Sequence, residues 1–257
     1  MRPKCWVAGW MLMVLGLIAC GPVVAGNVRI EKKTEVLKSE AFGGRKAVIH
    51  TPVFHGIKDP ALLKRIQESI DAGVREATES SPEEWVNEWK AEGGGWLTDI
   101  DYRVTYDDRD LLSLVYVIGG LGAYPDETEI CIVLDMKTGR RLAAKDLFKS
   151  QEELAAKVER MRAAEVEKTL QEHRAHLKDM ELTEELLTAI MEPAVQSRFG
   201  VENLDTFRID DKGVTFVYDF EFPHVSEALE PSGEYFLSYE ELRPYINPEG
   251  PLARLIT

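Results

Sequence analysis

Between Trp96 and Met136 apolar residues, many of them β-branched or aromatic, interleave with polar ones in three successive runs: Trp96 to Tyr106, Leu111 to Ile118 and Glu127 to Met136. This stretch limits the fold more than any other. Side chains two apart share one face of a strand, so runs of this kind have to pair in a sheet and bury at least one face. Asp107-Asp108-Arg109-Asp110 supplies a tight turn between the first two runs, and Gly119 to Asp126 reads as a longer, glycine-rich loop before the third. The pattern predicts an antiparallel meander.

The flanking segments alternate between strand and helix signals. Val28 to Leu37 and Lys46 to Phe54 mix β-branched and polar residues, predicting two strands paired across Gly43-Gly44. Asp59-Pro60 opens a helix carrying Leu63, Ile66, Ile70 and Val74 at helical spacing, and Ser81-Pro82-Glu83-Glu84 opens another with a capping box. Trp85 and Trp89 fall on one face of that second helix, which Gly93-Gly94-Gly95 ends.

After the turn at Asp135 to Gly139, Ser150-Gln151-Glu152-Glu153 predicts a capping box and a long helix over 151 to about 177. A helix from Thr183 is expected to bury Leu187, Ile190, Met191 and Val195. Thr206 to Ile209, Val214 to Phe220 and Tyr235 to Leu237 read as strands, and Ser238-Tyr239-Glu240-Glu241 caps a short last helix. No repeat with a period of about 20 to 50 residues occurs, which excludes a solenoid. The predicted class is α+β, with antiparallel β-sheets, helices packed on one side, and two consecutive subdomains, 28–95 and 96–257.

The first 19 residues stand apart from the fold. Arg2 and Lys4 precede an apolar run, Trp6 to Ala19, that is short for a membrane span and reads as a signal peptide. Leu17-Ile18-Ala19-Cys20 resembles a bacterial lipobox, which implies acylation of Cys20 and cleavage before it; several acyl chains give stable anchoring. Residues 20–27 would then be a tether, and the address extracytoplasmic, on the periplasmic side or at the cell surface. The alternative is an ordinary secretory cut at Val24-Ala25-Gly26, leaving a secreted protein.

Charge narrows the choice of partners. The full chain carries 31 basic and 45 acidic residues, a balance of -14, and loss of Arg2 and Lys4 takes it to -16. Nucleic acid and anionic lipid repel such a surface, whereas basic proteins are steered toward it. Of the three cysteines only Cys131 remains beside the lipidated one, so no disulfide framework exists; between Ile130 and Ile132 it reads as a buried, inert thiol.

The ordered elements from about Leu111 onward resemble the extracytoplasmic domain shared by RsiV-type anti-sigma factors and the accessory region of PdaC-type peptidoglycan deacetylases. The resemblance is carried by the strand Leu112 to Tyr116, Gly119-Gly120 with Tyr124-Pro125, and Asp135 with Thr138-Gly139 before Leu147-Phe148. Phe207, Gly213 to Phe216, Gly233 and Ser238 to Leu242 continue it. It implies a binding domain at the cell envelope, which in the anti-sigma factors recognises c-type lysozyme, a small basic protein. The chain departs from the family where Leu121-Gly122-Ala123-Tyr124 replaces the usual histidine-bearing loop. It also lacks a sigma-binding segment and a deacetylase domain, so neither whole-protein function carries over.

The resemblance and the loop positions together nominate Gly120, Tyr124, Asp126, Glu127, Phe222, His224 and Glu227 as binding residues, with Cys20 as the lipid site. No G-x-S-x-G, H-E-x-x-H or phosphate-binding glycine loop is present, and no cofactor, metal or catalytic residue is assigned. His173 and His176 lie at metal-binding spacing but in a polar stretch that reads as solvated surface, and His50 and His55 read as structural. Asp107, Asp108 and Asp110 lack the spacing of an EF-hand loop and fit turn chemistry. Trp85, Trp89 and Trp96 suit core packing, or an exposed platform for glycan. The leading expectation is an envelope-anchored domain recognising a lysozyme-like basic protein; the alternatives are a peptidoglycan-associated accessory module and a hydrolase with an unrecognised site.

Overall fold

The computed structural model describes residues 28–39 and 44–256. Cys20 and the predicted signal peptide and tether lie outside those residues. β1 (Arg29–Lys38) and β2 (Lys46–His55) pair antiparallel in unbroken register from Arg29↔His55 to Lys38↔Lys46. α1 (Pro60–Thr78) starts where the Asp59 carboxylate accepts from Ala61 N–H at 2.9 Å. α2 (Pro82–Glu92) begins with the expected capping box: the Ser81 hydroxyl accepts from Glu84 N–H at 3.3 Å, and Ser81 N–H donates to the Glu84 carboxylate at 2.8 Å. Gly93, at φ 71°, stops it.

β3 (Leu97–Asp107), β4 (Leu111–Leu121), β5 (Pro125–Asp135) and β6 (Arg140–Arg141) continue the sheet, whose strand order follows the chain from β1 to β6. One junction departs from the antiparallel expectation: β2 and β3 run parallel, with Val48↔Asp99 and Ile49↔Ile100. Parallel neighbours need a crossover of about a dozen residues or more, and α1 with α2 provides it. β1 and β2, before position 95, thus lie in the same sheet as β3 to β6, after it. One hydrophobic cluster joins Ile49, Ile66, Ile70, Val74 and Trp89 to Leu112, Leu114, Ile118, Ile132 and Leu134, so α1 and α2 cover the face of even-numbered β4 residues.

The predicted loop over Gly119 to Asp126 is mostly strand. Gly119↔Glu127, Gly120↔Asp126 and Leu121↔Pro125 extend the β4–β5 ladder almost to the turn. These glycines serve close packing on the sheet faces, not loop freedom.

The opposite face carries the second half of the chain. α3 (Ala144–Leu147) leads to α4 (Gln151–Ala175) and α5 (Glu184–Gln196), and β7 (Phe207–Ile209), β8 (Gly213–Val217) and β9 (Glu234–Ser238) form an antiparallel sheet before α6 (Tyr239–Leu242). β8 ends at Val217, short of the expected Phe220. Leu111 and Val133 share a cluster with Leu154, Val158, Phe207, Val214, Phe216 and Leu237. β7 is an edge strand, and its Ile209 N–H donates to the buried Ser113 hydroxyl at 3.0 Å, fastening the small sheet to β4.

Two local expectations fail. Ser150 sits in the left-handed region at φ 53° and makes no side-chain cap, because that backbone turns its hydroxyl away from the first helical N–H groups. Val195 is exposed and its neighbour Ala194 is buried, since α5 presents Leu187, Met191 and Ala194 to the core. Between α4 and α5 lies a buried cation: Arg162, 2% exposed, grips Glu159 at 2.6 and 2.9 Å and donates to the Ala194 carbonyl at 2.9 Å.

Candidate functional site

The predicted binding residues converge at the tip of the β4–β5 hairpin. Gly119 and Gly120 keep opposite faces of β4 bare. A Cβ on Gly120 would lie 1.8 Å from the Trp96 ring, and one on Gly119 would lie 2.4 Å from the Asp99 carboxylate. Trp96 thus lies flat on Gly120, and its carbonyl accepts from Leu121 N–H at 2.7 Å. Gly122 N–H donates to the Tyr124 carbonyl at 3.1 Å, closing a turn of three residues between the strands.

Tyr124 stands 61% exposed on that turn. Its ring centroid lies 4.9 Å from that of His224, which opens a short 3-10 turn at His224–Leu229. His224 Nδ1 faces the Glu227 carboxylate at 2.9 Å. Two segments about a hundred positions apart in sequence therefore meet as one surface. Val225, 90% exposed, crowns it.

The turn is held from below. Ser226 N–H and its buried hydroxyl both donate to the Pro223 carbonyl, at 2.8 and 3.0 Å. His173 Nε2 contacts the Leu229 carbonyl at 3.1 Å, tying the turn to α4. Glu165, also on α4, accepts from Ser232 N–H at 2.9 Å and from the Tyr235 hydroxyl at 2.9 Å. Exposed apolar groups on a braced support suit recognition, because little conformational entropy is lost on binding.

The remaining predicted residues play different parts. Asp126 and Glu127 are exposed on β5 opposite Gly120 and Gly119, and with Glu227, which pairs with His224, they give the contact exposed carboxylates. Phe222 packs with Phe220 at 6.5 Å on the cluster of Val166, Leu187 and Met191, so it supports the segment more than it displays a surface. Val225 escaped sequence reasoning: one valine in a polar stretch carries no sign of being on the outside.

Residues weighed for chemistry sit elsewhere. His50 Nδ1 pairs with the Thr34 hydroxyl at 2.9 Å, His55 Nε2 faces Glu31 at 3.2 Å, and His176 Nδ1 faces Asp179 at 3.4 Å. Asp108 and Asp110 bind Arg254, at 2.5 and 2.9 Å, which ties the C-terminal segment to the β3–β4 turn. Burial pushes the Cys131 thiol up to about 11, far from a thiolate nucleophile. Trp89 is 5% exposed and in the core, whereas Trp96 is 38% exposed; with Trp85 they line a groove of about 220 Å³. Among the described residues no group of three or more His, Cys, Asp or Glu is placed to hold a metal ion, and no helix is long and apolar enough to cross a membrane.

No protein-family model and no curated protein matches this chain. Solved structures do. A DUF3298-family protein from Bacteroides fragilis shares the fold with a TM-score of 0.55 at 16% identity, covering 90% of this chain and 96% of that one. A DUF3298-family protein from Pseudomonas aeruginosa aligns with a TM-score of 0.52 at 15% identity, over 86% of this chain and 94% of that one. At such identities the likeness is one of fold, in a family whose domain is of unknown function.

Proposed function

We propose that this chain is a bacterial envelope lipoprotein, anchored through Cys20, whose hairpin-tip face binds a small basic protein of the c-type lysozyme class. The observation that carries this reading is the contact of Tyr124 with His224. It joins the two nominated loops into one exposed surface, with Val225 beside His224 and the carboxylates of Asp126, Glu127 and Glu227 on the same two segments. An apolar centre excludes water from the contact, and the carboxylates and the net charge of -14 attract a basic partner.

Calorimetric titration of the full chain with c-type lysozyme at low and moderate ionic strength tests the binding. The reading expects saturable binding that weakens as salt rises, because screening shortens the reach of the carboxylates. Absence of binding at both ionic strengths overturns it. The anchor is tested separately by mass spectrometry of the protein from native membranes, where Cys20 is expected as an acylated N-terminus.

A further inference from the structure

Only five tryptophans occur in the sequence, and the three beyond the leader, Trp85, Trp89 and Trp96, all line one groove. Each is placed by a separate local device. Trp85 and Trp89 lie four apart on α2, with Trp89 sunk into the core as the floor. Trp96 is laid on β4 by the missing side chain of Gly120 and is still 38% exposed.

The rest of the lining is Glu88, Glu92 and Leu97. Glu88 and Glu92 are exposed, and among the described residues neither has an ion-pair or hydrogen-bond partner, although α2 also carries Glu84 and Lys90, which pair with Arg75 and Glu35. Indole faces attract cations through the ring quadrupole, most strongly where nearby carboxylates add to the field. A neutral sugar would use the rings but leave the negative charge uncompensated.

We infer that this groove binds an organic ammonium cation, with the indoles as walls and Glu88 and Glu92 as counter-charges. Trp96 also packs beneath the β4–β5 tip, so the groove borders the Tyr124–His224 face, but its chemistry stands whether or not lysozyme binds there. The source is a quaternary ammonium headgroup or a lysine terminus, which share this chemistry.

The test uses the full chain carrying Trp6→Phe and Trp10→Phe, so that all tryptophan emission comes from the groove. Fluorescence is followed during titration with tetramethylammonium or n-butylammonium chloride, against sodium chloride at equal ionic strength. A saturable change with either organic cation is expected; the first marks a headgroup site, the second a lysine site. Glu88→Gln with Glu92→Gln, exposed and shape-conserving, is expected to weaken it by about tenfold. Equal responses to sodium, or affinity unchanged in the double glutamine variant, overturn the proposal. So does saturation by chitotriose alone, which would make the groove a glycan site.

Discussion

Replacing Gly120 with Ala sets a small added volume against a ring that cannot share the space. The new Cβ would lie 1.8, 2.1 and 2.3 Å from three atoms of the Trp96 indole. The Gly120 backbone is pinned in register on both sides, to Leu97 and to Asp126, so the ring has to move. Trp96 is 38% exposed, which leaves about 150 Å² of a ~250 Å² side chain buried and about 3–4 kcal/mol of transfer free energy at stake as an upper bound. With partial reburial elsewhere the expected loss is about 2–3 kcal/mol, a fall in Tm of about 5–10 °C for a domain of this size. Two neighbours calibrate the argument. Gly122→Ala meets Trp96 only at 3.7 Å and is expected to leave Tm unchanged, whereas Gly119→Ala meets the tip of the Asp99 side chain at 2.4 Å, which can rotate away. Thermal unfolding followed by far-UV circular dichroism should rank the losses Gly120 above Gly119 above Gly122, with a red-shifted tryptophan emission for the first alone. Equal Tm for the Gly120 and Gly122 variants would refute the packing argument.

Arg162→Met leaves the partly buried Glu159 with only Arg198, 3.9 Å away, as a cation and removes one donor to the Ala194 carbonyl, and is expected to cost about 3 kcal/mol in urea unfolding. Asp107 is held up at about 6 by burial and by Asp108, so its proton favours the folded state. Measured as the difference between wild type and Asp107→Asn, stability should therefore fall as pH rises from about 4 to about 6 and stay level above that, and a difference that does not change with pH contradicts the assignment. Val225, 90% exposed, contributes little to folding, so Val225→Asp should leave Tm unchanged while weakening lysozyme binding by about tenfold or more, seen by calorimetry.

The sequence was most legible where the signal is local. Ser81 and Ser238 cap as their glutamates three residues on require, and Thr183 accepts from Leu186 N–H at the start of α5. Ser150 shows the limit, because the same letters fit a left-handed backbone in which the hydroxyl points elsewhere. Gly119-Gly120 was misleading for a different reason: glycine marks a loop or a close approach equally well, and only the position of Trp96 decides between them. The parallel β2–β3 junction was hidden because the direction of a pairing leaves no trace in one strand's alternation. Within the candidate face, the loop positions of Tyr124 and His224 were readable, but their contact and the exposure of Val225 follow from long-range packing, in which α4 ties down the segment after β8 through His173 and Glu165.

Hydrogen–deuterium exchange of the full chain with and without saturating c-type lysozyme tests the central claim most directly. Slowed exchange confined to the β4–β5 turn around 121–127 and to the segment 222–230 is the predicted footprint. Protection elsewhere with both segments unchanged would show that the Tyr124–His224 face is not where a basic partner binds.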